Sequence, residues 1–150
     1  MPAEPASAEL SARPLRRVTQ SILWSPENEA SGIYGNCLQA AIASALDMEL
    51  EAVPNFAAFT WWDPAARLWL RGQGRDWRMV PPPVPQQRSI VVGPSPRPTG
   101  LHAVVGEAGG IVWDPHPDRT GLTAIRHSYV LERWPVPGVS SGCVICGSAA

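Results

Sequence analysis

The sequence predicts an α+β domain in which helices come first and an antiparallel sheet follows. Three observations carry this reading. Between positions 36 and 46, Leu38, Ala41, Ile42, Ala45 and Leu46 recur at helical spacing. From position 89 onward the apolar residues come instead in short β-branched runs broken by Gly and Pro. The 17 Pro and 13 Gly among 150 residues call for short elements and long connections, while 45% hydrophobic residues and seven Trp argue against global disorder.

Taken in order, residues 1–15 are small, polar and rich in Pro, Ala and Glu, the composition of a flexible leader. Arg17 to Trp24 has β-branched and aromatic character and reads as a short strand or extended lead-in. Ser25 to Gly35 is loop. The buried central helix starts at Asn36, its expected N-cap, and carries Cys37 in its first turn. A second helix is expected from Asn55 as cap, with Phe56 and Phe59 facing inward, ending before Pro64. Asp63 and Pro64 then restart a helix as cap and first residue, and Gly72 closes it. Both helices are expected to present Trp and Phe to a common core.

After Trp77-Arg78-Met79-Val80, the proline-rich run Pro81 to Pro85 reads as an extended surface connector. Strands follow at 89–93, 101–105, 111–114 and 128–134, the middle two separated by Gly106-Glu107-Ala108-Gly109-Gly110. The folded domain is thus expected over 16–136, with residues 137–150 as a flexible tail containing Cys143-Val144-Ile145-Cys146.

Net charge is -1, and the twelve basic residues, all Arg, are scattered rather than gathered in a stripe. Nucleic acid and anionic membrane are therefore not expected partners. No run approaches the roughly 20 apolar residues of a membrane span and the N-terminus has no signal-peptide core, so the expected location is cytoplasmic. Three cysteines do not make a disulfide framework.

Cys37 is the most informative residue. A thiol at a helix N-terminus meets unpaired N–H groups and the positive end of the helix dipole, which favour the nucleophilic thiolate. If the later hairpin turns about Ala108, residues 102 and 114 are symmetric and directly opposed, so His102 and Asp114 would share a face. The carboxylate would then fix the imidazole tautomer while the other ring nitrogen serves the thiol. Singly, such a Cys is more often a small buried residue and such a His a structural hydrogen-bonder. The three in this order on these elements favour a nucleophile, base and orienting acid. His116, in the turn beyond the strand, ranks second as base, and His127 has no evident partner.

Cys143 and Cys146 are half of a zinc site at most, which His116 and His127 would have to complete. A redox pair is a further alternative, and an unconstrained tail is the favoured reading. Arg97 and Arg119 lie near the site in sequence, as candidate binders of a substrate carboxylate or phosphate or as ordinary loop arginines.

Gly35-Asn36-Cys37 opening a helix, then Leu101-His102-Ala103-Val104-Val105, then Val112-Trp113-Asp114-Pro115, resembles the papain-like cysteine peptidase superfamily. The branch most resembled holds the leader-peptide-cleaving domains of bacterial exporters, and small bacterial and phage proteins of this type look similar. The likeness spans about Val18 to Trp134. It implies a nucleophile helix packed on an antiparallel sheet. Cys37 would attack a carbonyl, His102 would hold the thiol's proton and deliver it to the leaving group, and Asp114 would orient His102. The Cys37 N–H would serve as one oxyanion donor. The family places a Gln a few residues before the cysteine; here the nearest is Gln20, across a long loop, with Asn28 and Asn36 as fallback donors. The implied activity is hydrolysis of a peptide, isopeptide or related amide in a peptide or protein substrate through an acyl-thioester, with no metal or organic cofactor. Acyl transfer, deamidation and thioester cleavage use the same residues. The alternative is a binding or adaptor domain that keeps the fold without chemistry.

Overall fold

The computed structural model describes residues 10–98 and 100–135. Five strands, β1 (Arg75–Val80), β2 (Ser89–Pro94), β3 (Leu101–Glu107), β4 (Gly110–Trp113) and β5 (His127–Arg133), form one sheet in the order β1-β5-β2-β3-β4. Every neighbouring pair is antiparallel. Helices precede it in the chain: α1 (Pro26–Ala30), α2 (Cys37–Leu46) and α3 (Trp62–Gly72). The α+β class expected from the sequence is what the chain adopts.

Both faces of the central strands are covered. Ile90, Ala103, Val105, Tyr129 and Leu131 join α2 and α3 in the main core, whereas Val91 and Val104 form a smaller cluster with Val84, Leu122 and Ile125. A strand buried on both faces needs a continuous apolar run, which is why β2 and β3 show little polar alternation. Val84 is buried, so the proline-rich connector covers part of the sheet as well as lying along the surface.

α2 is alanine-rich where it meets the sheet; Ala40, Ala41, Ala43 and Ala45 are wholly buried. Small side chains bring the helix axis close to β3 and fix the height of its first turn. At its far end the buried Arg88 guanidinium donates to Ala45 O (3.1 Å) and Arg13 O (2.8 Å) and pairs with Glu107 (2.6 Å). A cation there satisfies orphan carbonyls and complements the helix dipole.

Several local expectations change. Leu10 is 1% exposed within the main core, so the packed chain reaches into the stretch read as leader. Residues 17–24 join no strand, because their N–H groups bond elsewhere: Val18 to Ser44 Oγ, Gln20 to Pro115 O, and Ser21 and Ile22 to Asn36 Oδ1. The loop 25–35 contains α1, started by Ser25 Oγ accepting from Asn28 N–H with Pro26 next in line. The helix expected after Asn55 is a single 3-10 turn, Phe56–Ala58; Asn55 does not cap it, and Phe59 is 48% exposed while Phe56 is buried. α3 begins two residues earlier than expected, at Trp62 rather than Pro64, and Asp63 accepts from Trp77 Nε1–H (3.0 Å) rather than capping. Trp69 packs against the core but Trp61 is 77% exposed. β1, unassigned from sequence, pairs with β5 and is tied to α3 by Asp76 with Arg67 and Arg71.

The β3–β4 hairpin turns at Ala108 and Gly109, both at positive φ (53° and 81°), the signature of a two-residue primed turn. Its pairs are Glu107 with Gly110, Gly106 with Ile111 and, after a bulge, Val105 with Trp113. The hairpin is therefore not symmetric about Ala108.

Candidate active site

Cys37 is the first residue of α2 and half-buried. Its N–H belongs to the helical turn whose donors have no intrahelical partner. Asn36 precedes it at the cap position but makes no side-chain cap bond. Its carboxamide is spent on the lead-in segment: Oδ1 accepts from Ser21 N–H (3.0 Å) and Ile22 N–H (2.8 Å), and Nδ2 donates to Ser21 Oγ (3.0 Å) and Gln39 Oε1 (3.1 Å). The Asn36 N–H also donates to Ile22 O (3.1 Å). Gly35 permits this closeness, since a Cβ there would lie 3.3 Å from the Trp24 backbone nitrogen.

His102 Nε2 lies 2.7 Å from Asp114 Oδ1, and both side chains are buried. Their contact is diagonal. Continuing the observed register past Val105 and Trp113 sets Asp114 across from Val104, and His102, two residues along β3, shares Val104's face. The two-residue turn shifts the register by one and the bulge at Val112 by one more, so the parity needed for a shared face is restored.

Asp114 accepts two further hydrogen bonds, from His116 N–H at Oδ1 (2.9 Å) and from Gly121 N–H at Oδ2 (2.7 Å). Burial alone would raise its pKa; the bonds from His102, His116 and Gly121 outweigh that and hold it below the ordinary carboxylate value. For His102, burial pushes down, while hydrogen bonding to Asp114 and then to Cys37, with their charges, lifts the pKa from 6.5 to about 9. With Nε2 committed to Asp114, the ring offers Nδ1 to the thiol.

Gln20 is 7% exposed and lines the cleft beside Cys37 and His102. One Nε2–H donates to Ile22 O (2.9 Å), and Oε1 is buried with no hydrogen-bond partner. Asn28 donates to Leu23 O from α1 and is not part of the cleft wall. Asn36, already saturated, is a scaffold rather than a donor. His116 stands edge-to-face with His102, ring centroids 6.1 Å apart, and its Nδ1 accepts from Asp118 N–H (3.1 Å). It lies in the cleft wall, while Asp114 is bonded to His102. His127 packs edge-to-face on Tyr129, centroids 5.1 Å apart.

The two arginines part company. Arg97 lines the cleft. Arg119 instead braces it, donating to Asp114 O, His116 O and Thr19 Oγ1 with its guanidinium 4.1 Å above the Trp113 ring. Cys143 and Cys146 lie outside the described residues. Among the described residues no group of three His, Cys, Asp or Glu is placed to hold a metal ion, and no helix is long and apolar enough to cross a membrane.

Cys37 and His102, together with Ala57 and Leu101, line both of two cavities. One, of about 290 Å³, runs past Gln20, Trp24, Tyr34 and Arg97 to His116. The other, of about 310 Å³, is apolar, lined by Leu38, Trp62, Val92 and Tyr129. Gln20, Arg97 and His116 were named from sequence, whereas the apolar wall residues were not. The one signal of the apolar ones is that Leu23, Trp24, Tyr34 and Trp62 are aromatic or aliphatic residues left exposed around one site, which only the fold reveals. Comparison of the chain with known protein families, curated proteins and solved structures finds no match.

Proposed function

We propose that this protein is a papain-like thiol hydrolase that cleaves an amide bond in a peptide or related substrate. The observation that carries the reading is the buried 2.7 Å contact of His102 Nε2 with Asp114 Oδ1, on a ring that is also coupled to Cys37. Asp114 holds the ring so that Nδ1 receives the thiol proton. The Cys37 sulfur then attacks the carbonyl carbon. The oxyanion is met by the Cys37 N–H and by the Gln20 N–H not bonded to Ile22. Collapse breaks the C–N bond as His102 gives its proton to the departing amine, leaving a thioester. Water, deprotonated by His102, attacks the thioester; the acid leaves and the thiol is restored.

The test needs no substrate. In a Cys143→Ser, Cys146→Ser background, alkylation of Cys37 should remain fast well below the ordinary thiol pKa of about 8.5. That reactivity should vanish in the same background carrying His102→Ala. An ordinary thiol profile in both would overturn the proposal and favour a binding domain, a reading supported by the bond that ties Gln20 to Ile22 O.

A further inference from the structure

Resting on that reading, we propose that the cleft between Trp24 and His116 is a carboxylate site anchored by Arg97. The favoured substrate then carries a free carboxylate on one side of the scissile amide and an apolar group on the other.

The cleft's polar wall is one-sided. Gln20, Arg97, His102 and His116 supply N–H donors or positive charge, and no Asp or Glu among the described residues lines it. Arg97 is held by one nitrogen only: Nη1 donates to both Asp118 oxygens and to Thr120 Oγ1, each at 2.8 Å. Among the described residues Nε and Nη2 carry no hydrogen bond, which leaves a donor edge on a guanidinium already fixed in place. Its charge is felt inside the cleft: burial first, then Arg97, hold the His116 pKa below its ordinary value. His116 is therefore neutral near pH 7, and because Nδ1 accepts from Asp118 N–H, its proton sits on Nε2 as an uncharged donor. A bound anion would pair with Arg97 and the neighbouring N–H groups. Beyond the catalytic pair the second cavity is walled by aliphatic and aromatic side chains with no charged group, so the other half of the substrate is apolar.

The test uses three affinity reagents in the Cys143→Ser, Cys146→Ser background: N-chloroacetyl-norleucine, its primary amide, and N-chloroacetyl-isoglutamine. Each forms a thioether at Cys37 with loss of chloride. The first should label about tenfold faster than the amide, the effect of one charge-assisted pair. Arg97→Met should bring that ratio within about twofold, whereas Arg97→Lys, which keeps the charge, should retain part of it. Asp118→Asn removes the competing carboxylate and should raise the ratio. The isoglutamine reagent reads the source of the anion: preference over the neutral amide supports the site with a side-chain carboxylate as ligand. If Arg97→Met and Arg97→Lys both leave the ratio unchanged while Cys37 still labels, the carboxylate site is wrong and the hydrolase reading survives. If Cys37 labels with none of the reagents, both fall.

Discussion

His102 and Asp114 meet across a diagonal of the β3–β4 hairpin, their side chains 2.7 Å apart although Asp114 stands beyond the last paired residue of β4. A primed two-residue turn and a bulge each move the register by one position, and the two shifts together return Asp114 to His102's face.

Deleting Val112 removes one of those shifts and turns Asp114 to the opposite face. The His102 resonance, followed by NMR, should then titrate near the unperturbed 6.5 instead of near 9. Alkylation of Cys37 should lose its His102 dependence. A titration left near 9 would refute the parity argument.

Stability should fall with pH through the same proton. The folded protein holds the His102 proton more tightly than the unfolded chain, whose imidazole titrates near 6.5. Below 6.5 both states are protonated and the stabilisation is complete; it declines as pH rises and is gone above the folded value of about 9. Denaturant melts from about pH 5 to about pH 10 should reveal that decline in the parent and a smaller one in His102→Gln. Parallel curves would contradict it.

Asn36→Ala removes four carboxamide hydrogen bonds at a buried position. The expected loss is about 2–4 kcal/mol in urea unfolding, most of it from stranded partners on Ser21 and Ile22. Because the same bonds set the segment bearing Gln20, the hydrolysis proposed above should slow more than the melting temperature implies. Unchanged turnover in the folded variant would detach Asn36 from the site.

Gly93 pairs with His102, and a Cβ there would fall 1.9 Å from Ala124 O. Gly93→Ala should cost at least about 2 kcal/mol because a backbone carbonyl has to move. At Gly110 a Cβ meets nothing within 4 Å, so Gly110→Ala should lie within about 0.5 kcal/mol of the parent. Comparable thermal shifts for the two would show that the crowding is relieved without cost.

Periodicity and turn chemistry made α2, α3 and four of the five strands readable, because each is dictated by nearby residues. Cys37, His102 and Asp114 were readable for a related reason: their chemistry is strong and their elements are regular. The placement of His102 against Asp114 was reached through a symmetric turn, whereas the chain uses an asymmetric one whose bulge has no local signature. Asn36 and Asp63 carried the composition of helix caps, yet longer-range partners, Ile22 and Trp77, claimed their side chains. The roles of Arg97 and Arg119 separated only in three dimensions, since both sit in polar loops and only one ends in the cleft.

The bulge has a second effect, on how molecules meet one another. β4 is an outer strand with Ile111 and Val112 both 41% exposed, the kind of apolar edge onto which another extended chain can add. Because it is four residues long and irregular against β3, it gives a second copy no continuous ladder to extend. The residue that sets the face of Asp114 thus also blunts the sheet against edge-to-edge aggregation, so a straightened hairpin would surrender solubility together with its His-Asp pair.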